Sequence, residues 1–65
     1  MTALDKINEI AYNKIIEAFK RCDYYDMEDL EKLFDDIQLI YSQAEILKEK
    51  ILKDNITDPD KIEWI

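Results

Sequence analysis

There is no glycine anywhere in this 65-residue chain, and only one proline, Pro59. Tight β-hairpins of types I′ and II′ need backbone at positive φ, which Gly and Asn supply most readily. A sheet of this length would need several such turns. A glycine-free sequence rich in Glu, Lys, Leu, Ile and Asp therefore points to helices. Its isoleucines look β-like in isolation, but their spacing overrules that.

Met1, Leu4, Asn8, Ala11, Ile15, Ala18 and Cys22 recur at alternating intervals of three and four residues. That is the seam of a heptad repeat and predicts a helix over about 2–22, with Ile7, Tyr12 and Phe19 widening the buried face. Thr2 is a suitable N-cap with Asp5 in the capping-box position, and Lys20 and Arg21 suit the last turn of a helix dipole. Residues 23–26 read as a turn in which Asp26 caps a second helix over about 27–54. The seam there is Leu30, Leu33, Ile37, Ile40, Ala44, Leu47 and Ile51, widened by Phe34 and Tyr41. Asn55 can end that helix in the left-handed conformation. Asp58 followed by Pro59 is a helix start and predicts a short third helix over about 59–65 carrying Ile62, Trp64 and Ile65. Asn8, a polar seam residue, reads either as a water-facing helix end or as a register device.

The expected fold is all-α. It is a single domain over 1–65, an antiparallel two-helix hairpin resembling a coiled coil with a short C-terminal helix. At 1.5 Å per residue the long helices span about 30 and 40 Å, so Leu47, Ile51 and Leu52 overhang the start of the first. The tail or a second copy of the chain would cover them. So small a domain has little core and no disulfide to staple it. Completion by self-association or by a partner is therefore expected, with a homo-oligomer favoured. Tyr12, Ile16 and Phe19 at one edge of the first helix, Leu39 and Ile46 on the back of the second, and Trp64 are the candidate oligomer or partner face.

The chain has no histidine and a single cysteine, Cys22. Proton transfer near neutral pH usually recruits histidine, and neither Cys22 nor Ser42 has an imidazole to activate it. No catalytic residue, cofactor or metal is expected. The acid-rich runs 23–29 and 54–60 lack the alternating ligands and central glycine of a calcium loop. No apolar stretch approaches the ~20 residues of a membrane span and nothing resembles a leader segment, so the expectation is a cytoplasmic protein with no membrane partner.

Net charge is −7, which disfavours direct binding of nucleic acid. The charge is uneven: residues 23–40 carry seven acidic side chains and one basic, whereas residues 1–22 carry three acidic and four basic. Acids favour a helix N-terminus, so a solvated turn is the plain reading of Asp23, Tyr24, Tyr25, Asp26, Met27, Asp29 and Asp36. The functional reading is a docking patch for a basic protein, with the tyrosines and Met27 as anchors.

Phe19-Lys20-Arg21-Cys22, Leu30-Glu31, Ile40-Tyr41-Ser42-Gln43-Ala44-Glu45 and a tryptophan near the C-terminus resemble pieces of the Hha/YmoA family, over about a third of the chain. That resemblance implies a small helical modulator of a nucleoid-associated DNA-binding protein. The spacing between the middle pieces is shorter than in that family, and Ile46 and Leu47 stand where it has histidine and arginine. The expected function is non-enzymatic binding to a larger protein, as an adaptor, inhibitor or antagonist. The alternatives are a self-assembling helical unit and an acidic nucleic-acid mimic. The usage of Ile, Lys, Asn, Asp and Tyr is that of A/T-rich coding sequence and fits a phage or mobile-element product.

Overall fold

Thr2 closes the start of the first helix from both sides. Its hydroxyl accepts from the Asp5 N–H at 3.1 Å, while the Asp5 carboxylate accepts from the Thr2 N–H at 3.1 Å. This capping box satisfies two of the donors that a helix start leaves open. The structure, a computed structural model, describes residues 1–64: α1 (Ala3–Arg21), α2 (Met27–Lys53) and a 3-10 turn (Pro59–Lys61), with no strand among the described residues. At the far end of α1 the Phe19 carbonyl accepts from the Cys22 N–H at 3.3 Å and from the Tyr24 hydroxyl at 2.8 Å. Asp26 then caps α2, accepting from the Glu28 N–H at 2.9 Å.

The two helices pack antiparallel, and the α2 seam is the one its spacing predicts. Leu33, Ile40, Ala44, Leu47 and Ile51 are buried, and Leu30 and Ile37 are half-buried. On α1 the seam is turned from the expected one. Ala3, Ile7 and Ala18 are buried, whereas Met1, Leu4 and Asn8 are exposed. Ala3 and Ile7 join Ala44, Leu47 and Ile51 in one cluster, with Ala11 packed against it. The alanines of α1 have no side-chain bulk to hold the helices apart, so the large residues of α2 seat over them and fill the space between the axes. Asn8 is exposed to water and lies outside the α1–α2 seam.

The end of α2 is shaped for a reversal. Asn55 sits at φ 53, the left-handed region, and the Ile56 N–H donates to the Ile51 carbonyl at 3.0 Å. That six-to-one bond is the Schellman ending, with Ile51 and Ile56 as its apolar pair. The chain then crosses the start of α1, where the Ala3 N–H donates to the Thr57 carbonyl at 3.2 Å. So it is the tail that covers the overhang of α2 at Leu47 and Ile51; Leu52 stays exposed.

The expected third helix over 59–65 is only the 3-10 turn Pro59–Lys61, capped by Asp58, whose carboxylate accepts from the Asp60 N–H at 2.9 Å. Ile62 is already extended, at φ −81 and ψ 118. In an extended segment residues two apart share a side, so Ile62 and Trp64 both reach the Ile7–Leu47 cluster. A continued helix would place them 200° apart at 100° per residue, on opposite faces. The expectation for Ile65 lies outside the described residues.

Candidate protein-docking surface

The tail covers one side of the hairpin and leaves the other open. Trp64 marks the covered side: its indole N–H donates to Gln43 Oε1 at 2.9 Å, and the Lys14 ammonium lies 5.5 Å from the ring centroid. Beyond Trp64 that side is a polar groove between Lys14, Glu17 and Arg21 of α1 and Asp36, Leu39 and Gln43 of α2. At about 100° per residue, Phe34, Tyr41 and Leu52 fall on the opposite flank of the α2 seam, and Leu4, Tyr12 and Phe19 on the opposite flank of the α1 seam. In an antiparallel pair these two flanks share one side. Leu4 and Leu52 border the same open depression of about 280 Å³, together with Ile51 and Ile56. Phe34 is 66 % exposed, Tyr41 61 % and Leu52 77 %.

The extent of this exposure is unusual. A folded monomer of 7.8 kDa typically exposes about 4,400 Å², and this chain exposes 5169 Å². The excess goes with the elongated shape of the hairpin, 44 × 18 × 13 Å, which leaves much of each helix uncovered. Large apolar residues gathered on one side, not scattered singly, are the ordinary mark of an interaction surface.

The acidic turn is occupied with its own folding. Besides Asp26 as cap, Asp23 Oδ1 accepts from the Tyr25 N–H at 3.0 Å, and Asp29 Oδ2 accepts from the Asp23 N–H at 3.2 Å. Tyr24 holds the end of α1 through its hydroxyl. Tyr25, 100 % exposed, Tyr24, 55 % exposed, and Met27 at the start of α2 have free apolar surface here. Asp36 does not join this group, because it lines the polar groove on the covered side.

The six residues expected to form the oligomer or partner face are likewise divided. Tyr12 and Phe19 lie on the open side. Leu39 lines the groove on the covered side, with Ile46 exposed two turns along. Ile16 is half-buried on the face of α1 turned from α2. Trp64 is half-buried against the core and is part of the fold. Phe34 and Tyr41, expected to widen the buried seam of α2, are exposed instead. Met27, Phe34 and Tyr41 recur at intervals of seven, a second heptad line beside the first, and that spacing is the signal that marks them.

Cys22 is a free, half-buried thiol. Burial, and then the charges of Asp29, Asp23 and Asp26, push it above the ordinary thiol value, which keeps it protonated and a poor nucleophile. Among the described residues no three His, Cys, Asp or Glu side chains are grouped to hold a metal ion, and no helix is long and apolar enough to cross a membrane.

Compared with known proteins, the chain matches no family model, no curated protein and no solved structure. The likeness to the Hha/YmoA family rests on its short sequence pieces alone.

Proposed function

We propose that this chain is a non-enzymatic protein-binding module that docks on a larger protein through the open face of its hairpin. The observation that carries the reading is the one-sided closure of the fold. The tail seals the flank at Gln43 and Lys14, while Leu4, Tyr12, Phe19, Phe34, Tyr41 and Leu52 remain uncovered on the other. Two of these are tyrosines and two phenylalanines, and aromatic side chains are enriched at protein interfaces. Absence of histidine and the inert setting of Cys22 support a binding role over a catalytic one.

The test is cross-linking from the native host with the wild type and two variants that fold alike, Phe34→Asp on the open face and Leu39→Asp on the covered side. The reading expects a captured protein that is lost with Phe34→Asp and kept with Leu39→Asp. Capture that survives Phe34→Asp and fails with Leu39→Asp would move docking to the polar groove and overturn it.

A further inference from the structure

We infer that the occupant of the open face is a basic amphipathic helix of the partner, laid between α1 and α2 as the third member of a three-helix bundle. This rests on the reading of that face as the docking surface and adds the chemistry of what docks there.

The shape comes from the helix register. Phe34 and Tyr41 stand seven residues apart on α2, and Tyr12 and Phe19 seven apart on α1. Two parallel rows with heptad spacing flank a shallow trough whose floor is the half-buried Ile15, Leu30 and Ile37. Rows with this period accept apolar side chains of a helix at i, i+3, i+4 and i+7. The trough runs along α1, so it suits about five helical turns.

The charge comes from the rim. Just outside the apolar rows lie exposed Asp5 on α1 and exposed Glu45 on α2, with exposed Glu9 and Glu31 further round toward the outer faces of the helices. By the same helix geometry only Lys48 among the basic residues of α1 and α2 lies along this flank. Lys14 and Arg21 line the covered side, Lys6, Lys32 and Lys50 fall on that flank too, and Lys20 and Lys53 lie on the outer faces of their helices. The acidic turn closes one end of the trough. Flanking charges decide which helices pair, with unlike charges favoured and like charges disfavoured. A second copy of this chain would bring the same acidic rim against itself. A helix with Lys or Arg beside its apolar stripe meets an opposite charge on both rims.

The experiment uses the full chain and two synthetic peptides of about five helical turns. Both have Leu at heptad positions a and d; one has Lys at e and g and its twin has Glu there. Binding is read by fluorescence anisotropy at two salt concentrations. The Lys peptide should bind about tenfold or more tighter than the Glu twin, with the gap narrowing at high salt. Phe34→Asp makes the protein more acidic, so attraction of bulk charge alone would strengthen the Lys peptide. Docking in the trough instead predicts a loss of about thirtyfold or more, as for an interface anchor. Glu31→Gln with Glu45→Gln should weaken the Lys peptide and leave the helical circular dichroism unchanged. Equal binding of the two peptides that still needs Phe34 overturns the basic helix and leaves the docking face standing. Binding that ignores or gains from Phe34→Asp overturns both. A wild-type dimer in sedimentation equilibrium that Phe34→Asp splits assigns the face to a second copy and overturns the proposal.

Discussion

Trp64 and Gln43 are joined by a hydrogen bond of 2.9 Å from the indole N–H to the amide oxygen, across a separation of 21 residues. Half-buried beside them, the Lys14 side chain brings its ammonium over the indole ring. A tail whose regular structure is one 3-10 turn is thereby tied to both helices at once. The bond also has a direction: the indole has a donor and no acceptor, so its polar edge is satisfied only where an oxygen waits.

Removing the ring should release the tail. Trp64→Ala loses the apolar contact with the Ile7–Leu47 cluster and should cost about 2–3 kcal/mol, below the value for a fully buried tryptophan. Trp64→Phe keeps a ring and loses the N–H, and should cost about 1 kcal/mol. Thermal melts followed by circular dichroism separate the two. A Trp64→Ala melt equal to the wild type would mean that the tail contributes nothing to the fold.

Ile7 is the residue whose burial is complete, at 0 % exposure. Ile7→Asp places a carboxylate among Ala44, Leu47 and Ile51, at a cost of several kcal/mol. A chain of this size has roughly 3–10 kcal/mol in all, so the variant should be largely unfolded. Asn8→Asp, one residue on, faces water and should melt close to the wild type. If the two variants melt alike, the α1 seam is misplaced.

These two neighbours also show what was legible in the sequence. Spacing alone fits either Met1-Leu4-Asn8 or Ala3-Ile7-Ala11 as the α1 seam, since both have helical periods. The choice between them depends on the tail: Ile56, Ile62 and Trp64 cover the Ala3–Ile7 side, and that contact spans most of the chain. Caps are local and were readable one by one, as Thr2, Asp26, Asn55 and Asp58 all show. The α2 seam was readable because Leu33, Ile40, Leu47 and Ile51 are large and have no rival row as strong. The open face was half legible. Tyr12 and Phe19 stood out as an edge, but Phe34 and Tyr41 read only as widening the buried seam, because an e-position residue is buried in a bundle of three helices and exposed in a hairpin of two.

The capping box at Thr2 and Asp5 gives the start of α1 a pH dependence. Hydrogen bonds from the Thr2 backbone N–H, and then its hydroxyl, hold the Asp5 carboxyl below its ordinary value of 3.8. A depressed carboxyl contributes stability that is present above the unfolded value and is lost as pH falls through the folded one. The gap in melting temperature between wild type and Asp5→Asn should therefore be widest above pH 3.8 and close as the solution is acidified further. Thr2→Ala should cost about 1 kcal/mol at neutral pH. A gap between wild type and Asp5→Asn that is the same at neutral and at strongly acid pH would show that the carboxylate charge plays no part in the cap.

Cys22 tests whether the acidic turn is held together in solution. Its thiol lies above the ordinary value of 9.0, first through burial and then through the carboxylates of Asp29, Asp23 and Asp26. The thiolate is the form that reacts, so the folded chain should alkylate with iodoacetamide more slowly than the same chain in urea, at one pH near 8. Changing Asp23, Asp26 and Asp29 to Asn removes the charges and leaves the burial. Asparagine caps a helix about as well as aspartate, so Asp26→Asn should keep α2 in place. The rate should rise in this variant but stay below that of the unfolded chain, because burial is the larger cause. The inflection in rate against pH should move down in step. If the triple variant reacts as fast as the urea-unfolded chain while its circular dichroism is native, the turn is open and the hydrogen bonds among Asp23, Tyr25 and Asp29 do not hold it. If its rate equals that of the wild type, the carboxylates lie too far from the sulfur to matter, and Cys22 is slow through burial alone.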